Sequence, residues 1–321
     1  MKKEIHYTDH KFIPFYDLKK LGNTAIFQGN KKKKNYFEGW YFKMVANDGS
    51  SVISVIPGIS LSSDGREKHA FIQIINGITA QTSYYSYPIE EFSFSKKEFA
   101  LKIADSYFSK DSIILDLKDD HSIISGKISM FNRVEYKSGG LLNIGIMGFY
   151  RFVPFMECYH GVVSLTTSLN GKIIINDEIH DFKGGRGYIE KDWGSSMPSA
   201  WIWIQSNHIN NTNSSFMLSI ANIPWIKKSF TGFLGFFYHN NQIHHFATYR
   251  PTKLQLEIAD SNQLKINIEN KNNTFIINAM STNTSILKAP VKGAMDRRIS
   301  ESIDAILKIT MMDKKGNIIF I

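Results

Sequence analysis

The chain has 321 residues, 43% of them hydrophobic and 13% aromatic, which is enough apolar surface for a folded core and excludes a disordered protein. Its formal charge of +9 favours anionic partners, but outside Lys31, Lys32, Lys33 and Lys34 the basic residues are scattered and carry no nucleic-acid-binding signature. Cys158 is the single cysteine, which excludes an intramolecular disulfide and points to a reducing compartment.

The first ten residues have no apolar h-region after their positive start, so no signal peptide is expected. No apolar run is long enough to span a bilayer as a helix. These readings point to a cytoplasmic protein. Residues 1–34 read as an arm without period. Its Lys31–Lys34 run is either a solvated loop or a site of peripheral contact with anionic lipid.

From Asn35 to Val45 an aromatic-rich segment predicts a strand, turning at Asn47-Asp48-Gly49 into a second strand over Ser51–Ile56. Ala70–Ile75, 89–94, 98–104, 112–117 and 122–131 continue as short strands separated by polar turns. Gly139–Tyr159 is compatible with helix, strand or loop. Val162–Leu169 and Lys172–Ile175 read as a hairpin around Asn170-Gly171. Later strands are expected at 216–220, 230–239, 243–250, 254–258, 264–269, 274–279, 303–311 and 318–321. The whole is an all-β chain of antiparallel meanders, which usually close into barrels or sandwiches to remove exposed edges.

The stretch Gly187–Asn207 organises the chain. It holds three of the five tryptophans and two carboxylates two positions apart. Period-2 alternation places Glu190 and Asp192 on one face of a strand and Lys191 and Trp193 on the other. After the Gly-Ser-Ser-Met-Pro break, Trp201, Trp203, Gln205 and Asn207 share a face, opposite Ile202, Ile204 and Ser206. Indole and amide groups need partners when buried, so that face suggests a ligand cavity, although a core strand with capped tryptophan edges fits equally well.

Tyr36-Phe-Glu-Gly-Trp-Tyr-Phe-Lys43, Gly187-Tyr-Ile-Glu-Lys-Asp-Trp-Gly194 and Trp201-Ile-Trp-Ile-Gln-Ser-Asn207, in that order, resemble motifs of the tocopherol cyclase family. Phe155–His160 and Pro290–Ser302 fit the same pattern. The resemblance implies two lipocalin-like β domains, shared with carotenoid hydratases and fungal Diels–Alderases. It divides the chain into an arm (1–34), a first domain (35–165) and a second domain (166–321). It further implies closure of a chromanol ring from a prenylated quinol, or a related cyclisation or hydration of a prenylated or polyene substrate in a barrel cavity. Such an enzyme would be an isomerase or lyase.

That chemistry protonates an alkene, holds the tertiary cation and lets an oxygen attack, and it calls for no metal and no cofactor. Asp192 and Glu190 are the candidate acids, since two neighbouring carboxylates raise each other's affinity for a proton. Trp40, Trp193, Trp201 and Trp203 offer π faces to a cation, and Gln205 and Asn207 would orient a polar head. Glu38, in an apolar stretch, is either a buried functional group or an ion-pair partner of Arg151, Arg186 or Lys43. His160 is either half of a proton shuttle with Glu157 or a hydrogen-bonded core residue. His239, His244 and His245 alternate across a hairpin and make a poor metal site. The alternative to an enzyme is a non-catalytic carrier of a hydrophobic small molecule.

Overall fold

A computed structural model describes residues 5–6, 15–137, 145–154, 156–210, 212–225 and 228–321. The chain divides into two compact units, Met1–Met197 with Ile286–Ile299, and Pro198–Ser285 with Ser300–Ile321. Both are β structures, as the alternation predicts. One short helix, α1 (Tyr16–Gly22), precedes the strands of the first unit's main sheet apart from the two-residue β1. No helix among the described residues is long and apolar enough to cross a membrane.

The first unit is built from β1 (Ile5–His6), β2 (Tyr36–Val45), β3 (Val52–Leu61), β4 (Lys68–Asn76), β5 (Thr82–Pro88), β6 (Phe92–Phe94), β7 (Ala100–Ile103), β8 (Ser106–Ser109), β9 (Ser112–Lys118), β10 (Ile123–Val134), β11 (Cys158–Ile175), β12 (Glu178–Asp181) and β13 (Arg186–Gly194). They form one antiparallel sheet in the order β1-β6-β7-β8-β9-β10-β11-β13-β2-β3-β4-β5, with β12 paired to β11. The chain runs from β5 directly through the 3₁₀ turn Ile89–Glu91 into β6, so it bridges the two sides of the sheet, which curls into a nearly closed barrel. The expected hairpin at Asp48-Gly49 is present, with Gly49 in the left-handed region at φ 75°.

The hairpin expected at Asn170-Gly171 is not formed. β11 runs straight through both residues, with Asn170 opposite Ser129 and Gly171 opposite Ile128. Gly171 adopts φ 131°, and a Cβ there would lie 2.0 Å from the Lys127 carbonyl oxygen, so this glycine serves close strand approach and not a turn. The chain reverses at Asn176 and Asp177, with φ 48° and 70°, before β12. The domain boundary expected at 165/166 therefore falls inside a continuous strand. The compact units divide after Met197 instead. Part of the ambiguous 139–159 segment, residues 139–144, and Phe155 of the Phe155–His160 motif lie outside the described residues, as do 1–4 and 7–14 of the arm; Gly148–Phe152 forms a 3₁₀ turn.

A large hydrophobic cluster packs inside the barrel. Trp40, Phe42 and Met44 of β2 meet Ile53, Val55 and Ile59 of β3, Ile113 and Leu115 of β9 and Ile189 of β13 in one cluster. Trp40 stacks on Phe99 at 5.8 Å, and Phe27 packs on Phe92 and Phe94.

Into this core the sequence inserts a lysine. Lys191 is fully enclosed, pairs with Glu38 at 2.6 Å and donates to the carbonyls of Thr24 (2.8 Å) and Ile26 (2.6 Å). Its ammonium also lies 4.7 Å from the Trp40 ring and 4.8 Å from the Trp193 ring. Glu38 accepts further bonds from the backbone N–H groups of Gln28 and Gly29 and from the Tyr36 hydroxyl. Burial pushes the Lys191 ammonium down to about 8, against the charge of Glu38, which holds it up. The partner of Glu38 is thus Lys191, and not Arg151, Arg186 or Lys43. The pair fastens the arm to the barrel, helped by the Trp40 indole, which donates to Ala25 O, while the Tyr16 hydroxyl, donating to Phe27 O, braces the arm internally.

The second unit has a four-stranded sheet of β14 (Trp201–Ser206), β15 (Ser215–Trp225), β16 (Lys228–His239) and β17 (Gln242–Ala247). Beyond it follow β18 (Lys253–Asp260), β19 (Gln263–Glu269) and β20 (Asn273–Met280). A hairpin of β21 (Ser285–Val291) and β22 (Ala294–Glu301) comes next, and then β23 (Ile306–Asp313) and β24 (Ile318–Phe320). β18, β19, β20, β23 and β24 form one sheet, whose Ile266, Phe275 and Ile309 share a core with Phe216, Phe237 and Phe246 of the other. The β21–β22 hairpin was not foreseen, and most of it belongs to the first unit. Ser60 Oγ donates to Gly293 O at 2.7 Å, and Gln73 Oε1 accepts from Lys288 N at 3.0 Å.

Removing one member of the buried pair leaves the other charged and uncompensated. Glu38→Gln and Lys191→Met are each expected to cost about 3–5 kcal/mol of stability. The double variant should cost clearly less than their sum, and equilibrium urea unfolding of the four proteins measures this coupling.

Candidate active site

The register of β11 against β13 builds the site. His160 lies directly opposite Asp192, and Val162 opposite Glu190. Ile189, Lys191 and Trp193 of β13 point into the barrel, so Tyr188, Glu190 and Asp192 face outward, as the alternation requires. His160, two residues from Cys158 along β11, joins them on the outer face.

The result is a row of closely paired polar groups, although His160 Nε2 makes no hydrogen bond. His160 Nδ1 is 2.8 Å from Asp192 Oδ1, its Nε2 is 3.5 Å from Glu190 Oε2, and the Tyr188 hydroxyl donates to Glu190 Oε2 at 2.6 Å. Burial alone would strip the proton from His160. The negative charges of Asp192 and Glu190 and the Asp192 hydrogen bond outweigh it and raise the imidazole to about 9. At neutral pH the ring is an imidazolium held between two carboxylates. Burial and the Glu190 charge push the Tyr188 hydroxyl well above its usual range, so it stays a donor. The two carboxylates differ in access: the Asp192 side chain is 24% exposed and that of Glu190 5%. The Cys158 thiol, 3.8 Å from Met197 Sδ and 4.0 Å from Asp192, is pushed up by burial and then by the Asp192 charge, which makes it inert packing.

Ligand-type atoms of His160, Glu190 and Asp192 lie within 4.8 Å of one another, a spacing at which three such residues can hold a cation. The carboxylates, however, face opposite ring nitrogens. A proton also suits the arrangement, since Nδ1 is hydrogen-bonded to Asp192 while the Glu190 carboxyl lies 3.5 Å from Nε2.

The remaining expected residues are distributed differently. Trp40, Trp193 and Glu38 lie inside the barrel around Lys191, on the opposite side of the sheet from Asp192 and Glu190. Trp201, Trp203, Gln205 and Asn207 belong to the second unit. There Ile202 and Ile204 turn to the core, and Gln205 Nε2 donates to Asn207 Oδ1 at 3.4 Å. His160 is paired with Asp192 and Glu190, not with Glu157, whose backbone carbonyl accepts from Ser195 and Ser196. Tyr188 was missed, although the alternation that joined Glu190 to Asp192 also includes it. A tyrosine in a strand ordinarily reads as core.

Because His160 binds its proton more tightly in the folded chain (about 9) than an ordinary imidazole does (6.5), it stabilises the fold fully below pH 6.5, and this contribution disappears as pH rises through 9. The contribution is on the order of 3 kcal/mol. Urea melts between pH 6 and pH 10 are expected to show this loss, and Asp192→Asn should flatten it.

Residues 134–321 match the tocopherol cyclase-like family. The Tyr36–Lys43 motif lies outside that match but is hydrogen-bonded to the second motif along β13, with Trp40 opposite Lys191 and Glu38 opposite Trp193. No curated protein matches the chain. Among solved structures, kievitone hydratase from Nectria haematococca is 10% identical and covers 88% of this chain and 85% of that chain, with a TM-score of 0.46. CghA with Sch210972 is 7% identical and covers 87% of this chain and 88% of that chain, with a TM-score of 0.50, a likeness of fold. With more than half of its residues matched, and with the first two of the motifs that carry the resemblance paired in one sheet, the chain belongs to the tocopherol cyclase-like family.

Proposed function

We propose that the chain catalyses a proton-initiated cyclisation or hydration of a hydrophobic prenylated or polyene substrate at the outer face of β11 and β13. The observation that carries this reading is an imidazolium held between two carboxylates, only one of which opens to the surroundings. His160 stores the proton. Asp192, hydrogen-bonded to it and the more exposed of the two, passes the proton to an alkene carbon. The resulting cation lies next to the Asp192 carboxylate, which stabilises it. The substrate's own hydroxyl, or a water, then attacks, and the proton it loses returns to Asp192 and His160. The proton count closes within the site. Glu190, fixed by Tyr188, keeps the second charge at Nε2 and so holds the ring protonated between turnovers.

The test is turnover of prenylated quinols and polyenes in D₂O. Wild type is expected to place one deuterium on the protonated carbon of the product. Asp192→Asn and His160→Gln should each lower kcat by about 100-fold or more. Tyr188→Phe should reduce it less than Glu190→Gln does. Folded carboxylate variants that turn over normally would sink the assignment, and a wild type that binds such lipids without converting them would make the protein a carrier.

A further inference from the structure

We propose that α1 and the Lys31–Lys34 loop form a docking surface for an anionic lipid bilayer. The inference is independent of the reaction proposed above. A surface helix normally turns its apolar stripe to the core, and α1 does the reverse. Tyr16 is its one buried residue, whereas Phe15 at its N-cap, Leu18 and Leu21 are 76%, 65% and 54% exposed. Leu18 and Leu21, spaced three apart, fall within about 60° of the helix circumference, on the side away from Tyr16, and exposed Phe15 stands just before them. Exposed Phe152 extends the patch. The 3₁₀ turn that carries it is joined to the C-terminal end of α1 by Arg151, whose Nη2 donates to Lys20 O.

The cations are tied to the same place. Asp17 of α1 pairs with Lys20 at 2.7 Å and with Lys31, which fixes the start of the lysine run beside the helix and neutralises the helix's one acidic residue. Lys19, Lys31, Lys32, Lys33 and Lys34 are all exposed, and Lys19, Lys33 and Lys34 form no ion pair among the described residues. Asp64, on the β3–β4 hairpin, is turned to Arg66.

Large apolar side chains beside a cluster of ammonium groups suit the boundary between acyl chains and anionic headgroups. The same composition fits a protein partner poorly, since lysine is depleted in protein interfaces. A second copy would bring two lysine runs of like charge together.

Flotation of the full-length protein with vesicles of phosphatidylcholine, alone or mixed with phosphatidylglycerol, tests the proposal. Binding is expected to the mixed vesicles and to fall as salt rises. Lys33→Glu with Lys34→Glu should weaken it at least about tenfold. Leu18→Ser with Leu21→Ser should weaken it while the preference for anionic lipid persists. Thermal melts should show that both double variants stay folded. The proposal is overturned if wild type floats with neither vesicle or if neither double variant changes binding. It is also overturned if light scattering shows a dimer that the leucine variants dissolve while vesicles go unbound. None of these readouts involves turnover, so failure of the docking surface and failure of the proposed reaction are separable.

Discussion

The buried ion pair of Lys191 with Glu38 is the interaction on which the rest of the first unit depends. An ammonium and a carboxylate inside a hydrocarbon core are tolerated only when every donor and acceptor is matched. Here the matching groups are the carbonyls of Thr24 and Ile26, the N–H groups of Gln28 and Gly29 and the Tyr36 hydroxyl. Satisfying the pair therefore obliges the arm to lie in one place and β2 to hold one register against β13. A slip of one residue would turn Lys191 outward and bring Asp192 into the core.

The same register makes the outer face. β13 is a two-sided strand. Its inward residues solve a problem of stability, and its outward residues gather Tyr188, Glu190 and Asp192 beside His160 of β11. The ionisable groups on the two sides are held by different means. Inside, opposite charges neutralise each other with full hydrogen bonding. Outside, an imidazole stands between two carboxyl groups whose charge holds its proton firmly. Carboxyl groups so placed favour a developing cation, which is the ground for assigning the proposed reaction to the outer cluster and not to the more deeply buried inner one.

Much of this was legible in the sequence. Strict alternation over Tyr188–Trp193 separated the two faces correctly because side chains of a strand have a period of two whatever the fold. The Asp48-Gly49 hairpin was legible because its turn chemistry is local. The partners of Glu38 and His160 were not, since Lys191 and Asp192 are brought to them by strand pairing between distant segments, and a local pattern favours nearby candidates such as Lys43 and Glu157. Asn170-Gly171 misled for a related reason. Glycine serves both tight turns and close strand crossings, and only the neighbouring strand at Lys127 decides between them. The surface α1 was invisible because seven residues are too few to display a period, and the outward direction of its leucines depends on what Tyr16 packs against.

The β21–β22 hairpin has a consequence for how the chain comes to be folded. Its residues supply Gly293 and Lys288 to the first unit, yet they are synthesised after nearly the whole second sheet's leading strands. A ribosome that has delivered residues 1–197 has made all thirteen strands of the barrel but not the segment that satisfies Ser60 and Gln73. Domains ordinarily fold in order as they emerge. In this chain the first unit must wait, incomplete, while some ninety intervening residues are added, so a stop codon or a protease cut between the two units yields no finished half.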